Sequence, residues 1–240
     1  MSGHSKWANI KHKKERSDVK RGKIFTKIGR EIYVAVKHGG ADPDANSKLR
    51  DVIAKAKAAN MPNDTIARSI KKANGAASGE SYDEMIYEGY GPSGVAVIVE
   101  SMTDNKNRTA ADVRHIFDKF GGNLGTSGCV SYMFDKKGVI IIEKKDGLDE
   151  DTVMMAALEA GADDVVTEEE YFEIITEVNE FSSVREELEK SGYEFLEAQL
   201  QMIPQTMIKL DDKRSLSMEK LIDTLEDNDD VQNIYHNWES

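Results

Sequence analysis

The chain has 240 residues, 39% hydrophobic and 32% charged, a length that suits two or three globular domains. Its apolar runs, such as Val95–Val99, fall far short of the roughly 20 residues that span a bilayer. No apolar stretch follows the positive N-terminus as in a secretory signal, and a lone Cys129 cannot close an intrachain disulfide, so a cytoplasmic address away from membranes is expected. The net charge of −12 is unevenly spread. Residues 1–75 hold 18 Lys and Arg against 7 Asp and Glu, net +11; the remaining 14 and 37 give −23. A cationic segment on an anionic body suits one surface for phosphates and another that repels them; the alternative is that the two halves attract each other.

Residues 1–16 carry Lys6, Lys11, Lys13, Lys14 and Arg16 with little apolar content beyond Trp7 and Ile10, the composition of a flexible basic arm. A helix is expected from Ser17 or Asp18, with Ile24, Ile28, Ile32 and Val36 as its apolar stripe and Lys20, Lys23, Lys27 and Arg30 on another face, ending at Gly39-Gly40. Asp42-Pro43 is expected to open a second helix with Leu49, Val52, Ile53 and Ala56 inward. Asn63 or Asp64 starts a third, closed by Asn74-Gly75, so residues 17–75 read as a three-helix domain.

Beyond a small polar linker at 76–80 the period changes. A strand is expected at Val95–Val99, a helix over Thr109–Phe120 and strands at Val130–Phe134 and Val139–Ile142. A helix at Asp149–Ala160, β-rich runs near Val165-Val166 and Phe172–Val178, a helix at Val184–Lys190 and a strand at Ala198–Ile203 follow. From Val139 to Ile203 the order is β-α-β-β-α-β, which is ferredoxin-like. The flanking pieces include a strand near Met207–Leu210, a helix at Met218–Glu226 and a strand near Val231–Tyr235. They spell the same order across the gap. The expectation is two ferredoxin-like α+β domains: residues 136–203, inserted in a discontinuous one formed by 81–135 plus 204–240. One continuous α+β domain is the alternative.

Gly89-Tyr90-Gly91-Pro92-Ser93-Gly94 has the letters of a dinucleotide fingerprint but precedes a strand instead of following one, and reads as a turn. Cys129 with His115 lacks the marks of a catalytic dyad, His4 and His12 have no cysteine partner for zinc, and Asp227, Asp229 and Asp230 lack the spacing of a calcium loop. No catalytic group, metal or cofactor is expected. The positive run is different. Trp7 offers a flat stacking surface among phosphate-neutralising lysines, and Lys20, Arg21, Lys23 and Lys27 extend the charge along a helix. Arginine is scarce in the arm, which favours gripping phosphates over reading bases; a solvated tail is the alternative.

Several stretches resemble the YebC family: Gly3-His4-Ser5-Lys6-Trp7, Ile10-Lys11, Lys13-Lys14, Arg21-Gly22-Lys23, Asn60-Met61-Pro62 and Tyr87-Glu88-Gly89-Tyr90-Gly91-Pro92. They continue with Thr103-Asp104-Asn105-Lys106-Asn107-Arg108-Thr109, Ala157-Leu158-Glu159-Ala160-Gly161-Ala162 and Leu225-Glu226-Asp227-Asn228-Asp229-Asp230-Val231-Gln232. Ser93 and Cys129 stand where that pattern more often has Gly and Ser. The resemblance implies a three-domain, tweezer-like shape and a probable transcriptional regulator that binds DNA, with mitochondrial relatives that activate translation. A factor that relieves stalled elongation on ribosomal RNA is the competing implication. Either way the expected partner is nucleic acid, with the acidic α+β domains open to a protein partner.

Overall fold

A computed structural model of the chain describes residues 18–75, 81–145 and 147–239. The expected arm at 1–16, Ser17 and the linker lie outside the described residues, as do the side chains of Asp18, Val19 and Lys20.

Three helices come first: α1 (Asp18–Gly39), α2 (Ser47–Ala58) and α3 (Asn63–Gly75). The four-residue spacing of Ile28, Ile32 and Val36 puts them on one side of α1, where they pack with Leu49, Val52, Ala56, Met61 and Ile66. The second helix begins later than expected. Residues 42–45 form a turn, and Asn46 caps α2 by accepting from the Leu49 N–H at 3.0 Å. Its carboxamide also donates to the carbonyls of Ala35 and Gly40, both at 2.8 Å, so one buried side chain joins the end of α1 to the start of α2. A Cβ at Gly39 would fall 2.6 Å from that carboxamide, which explains the glycine.

The helices are followed by α+β structure, as expected. Strands β1 (Asp83–Tyr90) and β2 (Ala96–Thr103) form a hairpin, and α4 (Lys106–Lys119) leads to β3 (Asn123–Leu124). Next come β4 (Phe134–Glu143), α5 (Glu150–Glu159), β5 (Asp164–Thr167), β6 (Tyr171–Thr176), α6 (Phe181–Lys190) and β7 (Glu197–Pro204). The chain ends with β8 (Ile208–Lys209), α7 (Asp212–Glu226), β9 (Val231–His236) and β10 (Trp238–Glu239). One antiparallel sheet has the order β5-β6-β4-β7 and is drawn wholly from residues 134–204. The other, β3-β1-β2-β9, takes strands from both sides of that segment. Ile140 and Ile142 face the core under α5 and α6, while Val139 and Ile141 pack on the opposite face with Tyr171. That two-sided burial is why the run is apolar without alternation.

Three expected details differ. Strand β1 was not foreseen. The expected strand at Val130–Phe134 is a 3-10 turn at Ser131–Met133 that leads into β4. The strand near Met207–Leu210 shrinks to β8, which pairs in parallel with β10 outside the main sheet. The Gly89–Gly94 stretch ends β1 and turns into β2, and Ser93 sits there at φ 60, the left-handed region that favours glycine.

His236 ends β9 against Trp238, its Nδ1 accepting the Trp238 N–H at 3.3 Å. Desolvation pushes its pKa from 6.5 down to about 4. The unfolded chain therefore binds a proton that the folded chain refuses, and stability falls as pH drops from about 6.5 toward about 4. Chemical denaturation at about pH 7 and about pH 5 should show His236→Gln losing less than the parent between the two, by on the order of 1 kcal/mol.

Candidate nucleic-acid interface

Lys23, Lys27 and Arg30, which the sequence places on one face of α1, are found there, and that face meets the rest of the molecule. Lys23 Nζ donates to the carbonyl of Asp227 at 3.1 Å and pairs with its carboxylate at 3.2 Å. Lys27 Nζ donates to the carbonyl of Glu226 at 2.9 Å. These carbonyls close α7, which has no basic residue in its own last turn. Helix α1 thus supplies, from about 200 residues away, the positive charge that a helix C-terminus attracts.

One turn further along, Arg30 completes the contact. Its Nη1 donates to the carbonyls of Met102 and Asp229 and to Asp230 Oδ1 at 3.0, 2.7 and 2.7 Å, and its guanidinium lies over the Tyr82 ring. The other carboxylate oxygen of Asp230 accepts from Arg108, Thr109 and Thr103 at 2.7, 2.7 and 3.2 Å. Burial alone would raise the Asp230 carboxyl; the bonds from Arg108, Thr109 and Arg30 outweigh it and hold the group below its ordinary value. Two motifs more than a hundred residues apart, Thr103–Thr109 and Asp227–Gln232, therefore form one node, to which Arg30 of α1 is bound.

A second contact joins α2 to α6. Arg185, almost fully buried, pairs with Asp51 at 2.9 Å and with Glu189 at 2.7 Å. Ser182 donates to Asp51 at 2.6 Å, and Arg50 pairs with Glu186 at 2.7 Å. Lys48 pairs with Glu84 of β1. A cleft of ≈ 340 Å³ opens where α1, α2, β7 and the α7–β9 turn meet, with Arg21, Lys23 and Lys27 on one wall.

The candidate binding residues thus separate. Lys23 and Lys27 form the internal contact, Arg21 is exposed at the cleft mouth, and the backbone of Lys20 lies in the same helix. Lys6, Trp7, Lys11, Lys13, Lys14 and Arg16 lie outside the described residues. Reasoning from sequence missed Arg30, Arg108 and Asp230 as partners; the i, i+4, i+7 spacing of Lys23, Lys27 and Arg30 was the available signal. Elsewhere on helices α2 and α3, Lys57, Arg68 and Lys71 are exposed cations. Cys129 shows no activation: desolvation and the neighbouring Glu88 push its thiol up, away from the reactive thiolate. Among the described residues no cluster of three metal-ligating side chains occurs, and no helix is long and apolar enough to cross a membrane.

Models of two regions of one family match nearly the whole chain: the TACO1/YebC protein N-terminal domain over residues 5–76, and the TACO1/YebC second and third domain over residues 82–238. This chain belongs to the TACO1/YebC family. A relative from Acetivibrio thermocellus, named a probable transcriptional regulatory protein, is 68% identical over 99% of both chains. One of the same name from Ruminiclostridium cellulolyticum is 64% identical over 100% of this chain and 97% of its own. The crystal structure of a conserved hypothetical protein from Aquifex aeolicus superposes with a TM-score of 0.84 at 46% identity, covering 92% of this chain and 91% of that one. In TACO1/YebC terms, Arg30 belongs to the N-terminal region, and Arg108 and Asp230 to the region of the second and third domains.

The node carries more stability than the lysines beside it. Asp230→Ala takes from Arg30 and Arg108 the buried carboxylate they share and should cost about 3 kcal/mol. Lys23→Ala removes an exposed pair and should cost less than about 1 kcal/mol. Denaturant titration of the two variants checks the ranking.

Proposed function

We propose that this TACO1/YebC chain is a non-enzymatic, DNA-binding transcriptional regulator that grips phosphates with its basic N-terminal arm and the first turn of α1. One observation carries the reading: residues 1–21 hold Lys6, Lys11, Lys13, Lys14, Arg16, Lys20 and Arg21 against Glu15 and Asp18, a net +5 on a chain of net −12. Lys23, Lys27 and Arg30, later on the same helix, are engaged by the body of the molecule. The same helix then has two uses. Its later cations fix it to the body, and its beginning, with the arm and Trp7, faces a polyanion. The acidic remainder repels phosphate and so limits contact to one end of the molecule. The relatives named as probable transcriptional regulatory proteins agree with this reading.

Mobility-shift titrations with duplex DNA and with RNA at graded salt test it. The logarithm of affinity should fall linearly with the logarithm of salt, and Lys13→Glu with Lys14→Glu should weaken binding more than about tenfold and flatten the slope by about 1 for each phosphate lost. Binding to neither polymer, or binding insensitive to salt, contradicts the proposal. Preference for RNA moves the assignment to translation.

A further inference from the structure

Among the large apolar side chains left exposed in the described residues, Tyr132 is the most exposed, at 70%, and it is the one aromatic. It stands on a loop, residues 121–133, that is built with unusual care for something facing solvent. Glu88 of β1 is only 5% exposed, yet its carboxylate accepts three backbone N–H bonds: from Gly128 at 2.7 Å, Val130 at 2.9 Å and Ser131 at 2.8 Å. The Glu88 carbonyl takes a fourth, from Gly125 at 2.8 Å. Burial works to raise the Glu88 carboxyl, and the N–H bonds outweigh it and hold the group ionised below its ordinary value. The Tyr90 hydroxyl donates to the Cys129 carbonyl at 3.0 Å. A Cβ at Gly89 would lie 2.5 Å from the Asn123 carbonyl oxygen, and one at Gly125 would lie 2.5 Å from Cys129 Sγ. The stretch Tyr87-Glu88-Gly89-Tyr90-Gly91-Pro92, which no binding role has absorbed, is therefore the frame on which this loop is fixed.

The charge of the loop is as telling as its shape. No charged side chain occurs between Lys119 and Asp135, although residues 76–240 as a whole carry net −23. The Glu88 carboxylate that holds the loop is turned inward and covered by N–H groups. A polyanion can approach here closely where most of the body would repel it. Tyr132 then offers a ring face to an unstacked base, and a loop held in advance loses little conformational freedom on contact.

We infer that Tyr132 on its Glu88-held loop is a stacking contact for an unpaired nucleotide, a second point of attachment besides the basic arm. The inference rests on the nucleic-acid reading above and deepens it, because a ring needs a base that has left its helix.

Fluorescence anisotropy with labelled single-stranded oligouridylate and oligothymidylate, and with a duplex, tests it on the full chain at graded salt. Tyr132→Ala should bind the single strands about tenfold more weakly, with the salt slope unchanged because no charge is lost, and should bind duplex like the parent. Tyr132→Phe keeps the ring and should keep the affinity. Glu88→Gln removes a negative charge, which by itself favours a polyanion; it should nevertheless bind single strands more weakly because the loop is released. Parent binding that Tyr132→Ala leaves intact overturns the inference and spares the underlying reading, even if a protein contact is lost instead. Glu88→Gln binding as tightly as the parent overturns the role given to the frame. A parent that binds none of the three polymers overturns both.

Discussion

The molecule is organised around a row of cations on α1 docked against the end of α7 and the Asp230 node. Helix ends leave carbonyls without partners, and α7 has no basic residue in its last turn to meet them. Lys23 and Lys27 do so from the other end of the chain, and Arg30 reaches past them to a buried carboxylate that Arg108 also holds. A charge with two guanidiniums and two hydroxyls around it is tolerable in the interior; the same charge with one partner removed is not. The orientation of α1 relative to the sheet of β1, β2 and β9 follows from this constraint. The Arg185–Asp51 pair between α2 and α6 adds a second fixed point on the other sheet's side.

Fixing α1 in this way sets the direction of the helix relative to the body. Lys23, Lys27 and Arg30 anchor the middle of this helix, and in the proposed function its first turn and the basic sequence before it contact phosphate. Under the proposed function, charge attraction within the molecule and phosphate attraction outside it would be served by successive turns of one helix, separated by position along it.

Much of this was legible in the sequence, and the misses have physical causes. The helical spacing of Ile28, Ile32 and Val36, and the strand–helix succession from Val139 to Ile203, come from periods that tertiary contacts do not alter. Competing caps misplaced the start of α2: Pro43 suits a first helical turn, but Asn46 can bond in three directions and does. Strand β1, Asp-Glu-Met-Ile-Tyr-Glu-Gly-Tyr, hides because its acids and glycine give no alternation. Val130–Phe134 has the composition of a strand, but two of its N–H groups are taken by Glu88, forty-odd residues earlier, so the ladder cannot form there. The cationic face of α1 was visible and its internal partner was not, since nothing local links Lys23 to Asp227.

Hydrogen exchange of the full chain, with and without a nucleic acid, bears most directly on the division of labour along α1. If the anchored half of the helix is structural, binding should slow exchange in residues 1–22 and leave 23–30 and 226–231 as protected as before. Faster exchange at 23–30 and 226–231 on binding would mean that the lysines leave their internal partners for phosphates, and that the anchored base does not exist.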